Sequence, residues 1–165
     1  MGYDVIAVGK INDIFAGAGV TESIPTTGNA DGMRQTLRIA ERDFTGLCFV
    51  NLVDFDMLYG HRNDADGYAA AVSEFDGQLG RLIARMRADD VLVITADHGC
   101  DPGTKSTDHS REYVPMLAYG RRVGSGVNLG TRSSFSDIAA TVREIFGIQS
   151  GGGSFWREIE KTEEP

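Results

Sequence analysis

The side chains best suited to chemistry in this chain are its three histidines, each of which lies near an aspartate. The pairs are Asp56 with His61 in segment 51–64, Asp97 with His98 in an Asp-His-Gly tripeptide, and His109 within segment 107–115. Neutral imidazole and carboxylate together bind borderline-hard divalent cations such as manganese or zinc. The leading hypothesis from the residues is therefore a metal site.

Each motif taken alone also has a plain structural interpretation. An Asp-His-Gly tripeptide after a strand is typical of a turn, because Asp and Gly both favour turns. Asp56 and His61 could equally be a helix cap and a surface histidine, and His109 by itself would suggest an ordinary exposed residue. The metal interpretation is favoured only because all three motifs are expected at the same edge of one sheet.

Apolar runs alternate with helical patterns along the chain. Strands are predicted at Tyr3–Val8, Leu47–Val53, Val91–Thr95 and Val114–Tyr119, and helices through 33–40, 68–86 and 136–146. Alternating strands and helices predict an α/β fold with a mostly parallel sheet flanked by helices. Open sheets of this class place their sites beyond the carboxyl ends of the strands, which is where the ligand candidates are expected.

The bulk composition excludes several classes of protein. A net charge of −8 over 165 residues argues against an electrostatic nucleic-acid binder, which would show a basic stripe. No apolar run approaches the ~20 residues that span a bilayer. Two cysteines, Cys48 and Cys100, are too few for a disulfide framework. We expect a cytoplasmic protein with no membrane or nucleic-acid partner.

A glycine-rich joint divides the predicted domain from its tail. Residues 1–150 are expected to form the metal-binding domain, and 151–165 a tail that packs back or is partly disordered. Phe155 and Trp156 are the residues expected to pack, while the acidic end from Glu158 onward is expected to fray.

The sequence of these motifs resembles the phosphopentomutase family, within the alkaline phosphatase superfamily. The resemblance is carried by Asp-Phe-Asp-Met-Leu-Tyr-Gly-His-Arg in 54–62 and by Thr-Asp-His-Ser-Arg-Glu-Tyr-Val-Pro in 107–115. It extends over 2–10, 20–38 and the final helix, and its motif spacing differs from that of the cofactor-independent phosphoglycerate mutases. It implies a partial alkaline-phosphatase-like core and an isomerase of nucleoside catabolism. Such an enzyme interconverts the 1- and 5-phosphates of ribose or deoxyribose.

The resemblance also implies roles for individual residues. Asp56, His61 and His109 match the ligands of one manganese ion, and Asp97 and His98 match ligands of a second. Because the second set lacks a partner in this chain, we expect one well-formed Mn²⁺ site here.

Three basic residues are candidates for contact with the pentose phosphate. Lys10 matches a family lysine that contacts the substrate phosphate. Arg62 and Arg111 flank the ligand motifs, although pairing with Asp64 or Glu112 at the surface is equally expected.

The chain also departs from the family pattern. A metal-binding aspartate, a phosphorylated threonine and a cap domain that family members carry toward their N-terminus have no counterpart here. We therefore expect the C-terminal portion of the core domain, with no catalytic nucleophile. The missing N-terminal half is the expected partner, or else self-association through an exposed sheet edge at Tyr3–Val8 or a neighbouring strand.

Two other functions stay open on the sequence. One is another enzyme of the same superfamily, a phosphoglycerate mutase or a phosphatase. The other is a non-catalytic α/β module that binds metal.

Overall fold

The computed structural model describes residues 2–149 and 151–161. The chain forms two compact units, one of residues up to 86 together with 98–113, the other of 87–97 together with the residues from 114 onward. Among the described residues, no helix combines the length and the apolar character needed to cross a membrane.

A three-stranded parallel sheet is the frame of the first unit. Its strands are β1 (Asp4–Val8), β2 (Glu22–Ile24) and β3 (Gly46–Val50), in the order β2-β1-β3. Ile6 of β1 lies opposite Cys48 of β3 on one side and Glu22 of β2 on the other. The strand expected as a free edge is therefore paired on both sides, and within the described sheet β2 and β3 are its outer strands.

Helices α1 (Ile11–Ile14), α2 (Asn29–Ile39) and α3 (Ala65–Ile83) complete the first unit. Ile39 of α2 is buried with Ile6 and Val8 of β1, because the apolar residues of α2 recur on one helical face. Helix α3 packs against α2, and its start is capped by Asp64, whose carboxylate accepts a 2.9 Å hydrogen bond from the Gly67 amide.

The second unit contains an antiparallel pair of strands, β4 (Leu92–Thr95) and β5 (Met116–Tyr119), and helices α4 (Ser136–Ile145) and α5 (Trp156–Ile159). Its core consists of buried Phe155, Trp156 and Ile159, packed against seven apolar neighbours: Val91, Met116, Ala118, Val123, Leu129, Ile138 and Ile145. The core of this unit therefore joins α5 to β5, to α4 and to the residue just before β4.

Arg132 joins three parts of the second unit. Its guanidinium donates to Asp137 at 2.8 Å, to Glu158 at 2.9 Å and to the Gly153 carbonyl at 3.0 Å. Asp137 is buried, so this charge-assisted pair satisfies a carboxylate that would otherwise be costly to bury.

The expected α/β class with a parallel sheet flanked by helices is confirmed for β1, β2 and β3. The β4–β5 pair is antiparallel, since no helix separates its strands to make a parallel crossover. The domain boundary at residue 150 stays a prediction. The part of the expected frayed tail at 162–165 lies outside the described residues.

Candidate metal centre

The first predicted ligand motif follows β3 directly. After Val50 the chain passes through a turn into a π-helix, Phe55–Tyr59, and then a 3₁₀-helix, Gly60–Arg62. Asp56 belongs to the π-helix and His61 to the 3₁₀ turn. Single π-helical turns are rare and occur frequently at functional sites, because they redirect side chains out of the regular helical order.

Three of the predicted ligands converge on one point. The Asp56 Oδ1 atom lies 3.3 Å from His61 Nε2 and 3.3 Å from His109 Nε2. One ligand atom from each residue lies within 4.8 Å of the other two. His61 and His109, which are 48 positions apart in the sequence, are thus brought together with Asp56.

A main-chain contact indicates which ring nitrogen of neutral His61 carries the proton. Its Nδ1 atom makes a short hydrogen bond with the Thr107 carbonyl oxygen. A carbonyl only accepts, so Nδ1 carries the proton and the Nε2 lone pair faces Asp56. This arrangement, in which the distal nitrogen is held by a backbone carbonyl, is the usual way that proteins orient a metal-binding histidine.

The geometry fits a divalent cation. Asp56 Oδ1 is buried and has no hydrogen-bond partner among the described residues, although two imidazole nitrogens are close by. Lone pairs facing one another repel unless a cation lies between them. Ligand distances of about 2.0–2.2 Å place tetrahedral neighbours roughly 3.3–3.6 Å apart, which agrees with the two 3.3 Å separations.

The loop that carries His109 is held by polar contacts within the first unit. Ser110 N–H donates to the Gly99 carbonyl at 3.0 Å, and its hydroxyl accepts from Asp101 N–H at 2.8 Å. Asn63 Nδ2 donates to the Ser106 carbonyl at 2.9 Å. Asn63 has a φ of +52°, a left-handed conformation that asparagine tolerates better than most residues.

His98 and Asp97 lie outside the three-residue cluster. The His98 ring stacks on His109, with 3.6 Å between centroids and 21° between planes, and its Nδ1 lies 3.2 Å from the Gly99 carbonyl. Asp97 follows β4 in the second unit and is exposed. Their role as ligands of a second ion therefore stays a prediction.

The predicted phosphate-binding residues are all exposed. Lys10 Nζ lies 3.1 Å from the sulfur of Met57, the residue after Asp56 in the sequence. Arg62 follows His61 directly, and Arg111 comes two residues after His109. Lys10 therefore contacts the sequence neighbour of one clustered residue, and the two arginines are close in sequence to the other two.

Cys100 is a close neighbour of the cluster but not a member of it. A side chain at Gly60 would collide with its sulfur, so the 3₁₀ turn packs directly on the thiol. Burial raises the pKa of the Cys100 thiol, and the negative charges of Asp56, Glu112 and Asp101 raise it further. A protonated thiol is a poor ligand, which favours the histidines and the aspartate.

Sequence reasoning did not identify Thr107 and Asn63 as supports of the site. Thr107 acts through its carbonyl oxygen, which every residue type carries. Asn63 offered one signal, since an asparagine after a short helical segment is a common left-handed terminator.

Comparisons with known proteins agree with this geometry. Residues 4–150 match the family described as the Metalloenzyme superfamily. The chain is 58% identical over 161 residues to a phosphopentomutase of Carboxydothermus hydrogenoformans, covering 97% of the chain and 42% of the relative. It is 60% identical over 160 residues to that of Acetivibrio thermocellus, covering 96% and 41%. The chain thus spans about two fifths of the length of these curated relatives.

Proposed function

This chain belongs to the Metalloenzyme superfamily, and from that membership we propose that it is the metal-binding part of a phosphopentomutase. The complete enzyme would interconvert the 1- and 5-phosphates of ribose or deoxyribose. Support comes from relatives named phosphopentomutase at 58–60% identity and from the chemistry of the clustered residues.

One observation carries the proposal. Asp56 Oδ1 is buried without a hydrogen-bond partner among the described residues, while two imidazole nitrogens face it at 3.3 Å. We assign Asp56, His61 and His109 as ligands of one divalent cation, with manganese as the expected ion. The mixture of one oxygen and two nitrogen donors suits manganese as well as zinc. Asp97 and His98 are proposed as ligands of a second ion in the complete protein.

The bound ions would act as Lewis acids that neutralise charge on a phosphoryl group. The chain's own residues would hold and orient that group. Lys10, Arg62 and Arg111 supply exposed positive charge around the ligand motifs, and the arginines can bind two phosphate oxygens at once. The Thr107 carbonyl keeps the proton of His61 on Nδ1, so Nε2 stays free to bind.

Mutase chemistry also needs a nucleophile that holds the phosphoryl group while the sugar turns around. No threonine of this chain matches the position of the family's phosphorylated threonine. We therefore propose that the 165 residues alone do not complete the reaction, and that the nucleophile belongs to the part of the relatives outside the match.

A chimera tests the proposed function. The region of the Carboxydothermus enzyme that matches this chain is replaced by residues 1–161, and conversion of ribose 1-phosphate to ribose 5-phosphate is measured with added Mn²⁺. We expect conversion by the chimera, its loss in His109→Ala, and no conversion by the isolated chain. Asp108→Asn, which removes a neighbouring exposed charge, is the matched control and should keep activity.

Two results would contradict the proposal. Release of inorganic phosphate without isomerisation would indicate a phosphatase of the same superfamily. A folded chimera that binds manganese but leaves both sugar phosphates unchanged would indicate a metal-binding module without this activity.

A further inference from the structure

Asn29 and Asp54 form a reciprocal pair of hydrogen bonds in the first unit. The backbone N–H of Asp54 donates to Asn29 Oδ1 at 2.9 Å, and the backbone N–H of Asn29 donates to Asp54 Oδ2 at 2.6 Å. Each residue thus satisfies the main chain of the other across 25 positions. The pair joins the first residue of α2 to the residue that precedes the π-helix Phe55–Tyr59.

The backbone before Asn29 is adapted to this contact. Gly28 has a φ of +152°, which side chains rarely allow, and a Cβ atom there would lie 2.7 Å from Asp54 Oδ2. Only glycine therefore lets the Asp54 carboxylate approach the start of α2. A carboxylate in that position is also favoured by the positive end of the helix dipole.

The contact leaves part of Asn29 without a partner. Its Nδ2 atom is buried and makes no hydrogen bond to any described residue. Asn29 and Asp54 both line a cavity of about 230 Å³. A buried donor without a partner is unfavourable. The amide at this position is therefore best explained by its Oδ1 atom, which accepts the hydrogen bond from Asp54 N–H.

The role of this hydrogen bond follows from the position of Asp54 in the chain. Asp54 lies two residues before Asp56, and the turn that contains both residues is closed by an α-helical hydrogen bond from Met57 N–H to the Val53 carbonyl at 2.9 Å. Asp56 Oδ1 accepts no hydrogen bond from the described residues. The backbone that starts at Asp54 therefore contributes to the position of the Asp56 carboxylate.

We propose that Asn29 and Asp54 are positioning residues that fix the start of the π-helix and so hold Asp56 in register with His61 and His109. Neither belongs to the ligand cluster, and both act through Asp56. The inference rests on the proposed metal site and extends it to α2, which no ligand motif includes.

Calorimetric titration with Mn²⁺ measures the metal affinity of the 165-residue chain and of its variants. Asn29→Ala and Asp54→Ala should each weaken binding about 10- to 100-fold, the usual range for residues that orient ligands. The double variant should be no weaker than the weaker single variant, since both remove the same link. Asp54→Asn keeps an oxygen that accepts from Asn29 N–H, and should bind within about threefold of the original chain.

Asp31→Ala is the matched control for a purely structural role. Asp31 lies at the same end of α2, where its carboxylate accepts from Thr27 N–H at 3.0 Å and from Arg34, but it makes no contact with Asp54. We expect Asp31→Ala to lower the melting temperature of the metal-free chain without changing Mn²⁺ affinity. The visible spectrum of the Co²⁺-loaded chain should change in Asp54→Ala and stay unchanged in Asp31→Ala.

The outcomes separate this inference from the function on which it rests. If the original chain binds Mn²⁺ and the Asn29 and Asp54 variants, folded by circular dichroism, bind it equally well, the positioning role is wrong and the metal site stands. An equal loss of affinity in Asp31→Ala would mean that general destabilisation is the cause. If the original chain binds no divalent ion, the metal site and the positioning role both fail.

Discussion

The Asp56 carboxylate is held in an arrangement that would favour a cation. Its Oδ1 atom is buried, faces two imidazole nitrogens at 3.3 Å and accepts no hydrogen bond from the described residues. A divalent cation bound between these atoms would neutralise the carboxylate.

Removing one of these imidazoles should remove the ion. We expect the chain to retain about one divalent ion after dialysis at pH 8, and His109→Ala to retain much less than one. Elemental analysis measures the loss, with Asp108→Asn as a control that should keep its ion. Full occupancy in His109→Ala would show that the ion binds elsewhere.

A second prediction at this scale concerns Cys48, which packs against the core of the first unit. Burial raises the pKa of its thiol to about 11, from a usual value of 9.0. Between these values the unfolded chain loses the proton and the folded chain keeps it. Stability from this group is therefore complete below about pH 9 and is lost as the pH rises toward 11, by about 2–3 kcal/mol.

Urea unfolding at pH 8 and pH 10.5 measures this loss. Cys48→Ala has no thiol to ionise, so its stability should fall less steeply than that of the original chain. Cys100→Ala leaves Cys48 in place and should retain most of the steep fall. Parallel falls in the original chain and Cys48→Ala would mean that other groups control alkaline unfolding.

Residue types could predict the clustered ligands but not what supports them. Asp56, His61 and His109 stand out because imidazole and carboxylate are scarce combinations in a chain with three histidines. Residue types alone do not predict the Asn29–Asp54 pair, since asparagine and aspartate are common at helix ends for many reasons. Long-range bonds between a side chain and the main chain follow from the fold, and the sequence does not encode them as a motif.

At the scale of elements, long periodic segments were predictable and short ones were not. The predicted strand Tyr3–Val8 and the final helix 136–146 correspond to β1 (Asp4–Val8) and α4 (Ser136–Ile145). The three-residue strand β2 was not among the predicted strands, and it forms because β1 offers it a free edge. The π-helix lacks a sequence signature, because its wider turn arises from packing.

Helix α5 illustrates how much stability a four-residue element can add. Trp156 is 4% exposed and packs in the core of the second unit. Trp156→Ala should lower the free energy of unfolding by about 3–5 kcal/mol, because it leaves a large cavity. Urea denaturation measures the change, and Arg157→Ala, whose side chain is 90% exposed, should cost less than about 1 kcal/mol. Similar costs for the two variants would mean that α5 is not anchored by its tryptophan.

At the scale of the whole molecule, the surface carries more apolar area than isolated residues would explain. Phe49 of the outer strand β3 is 43% exposed, and its ring lies 6.2 Å from that of Phe15, which is 49% exposed. Ile14, which precedes Phe15 in the chain, is 65% exposed. Contiguous apolar surface of this kind typically marks an interface.

We therefore expect the isolated chain to self-associate at high concentration. Sedimentation velocity should show a concentration-dependent increase in mass, which Phe49→Thr should reduce because threonine suits a strand but lowers the apolar area. Tyr113→Thr is the matched control, since Tyr113 is 87% exposed and lies outside this patch. A stable monomer at high concentration would contradict the prediction, as would equal effects of the two substitutions.

The hydrogen bond between His61 and the Thr107 carbonyl has a consequence for how this site evolves. Because the acceptor is a main-chain oxygen, this hydrogen bond places no constraint on the side chain at position 107. The length of the segment between Ser106, whose carbonyl accepts from Asn63, and His109 is constrained instead. One inserted or deleted residue there would move the Thr107 carbonyl away from the His61 imidazole. Among descendants of this sequence, the length of this loop should therefore stay constant.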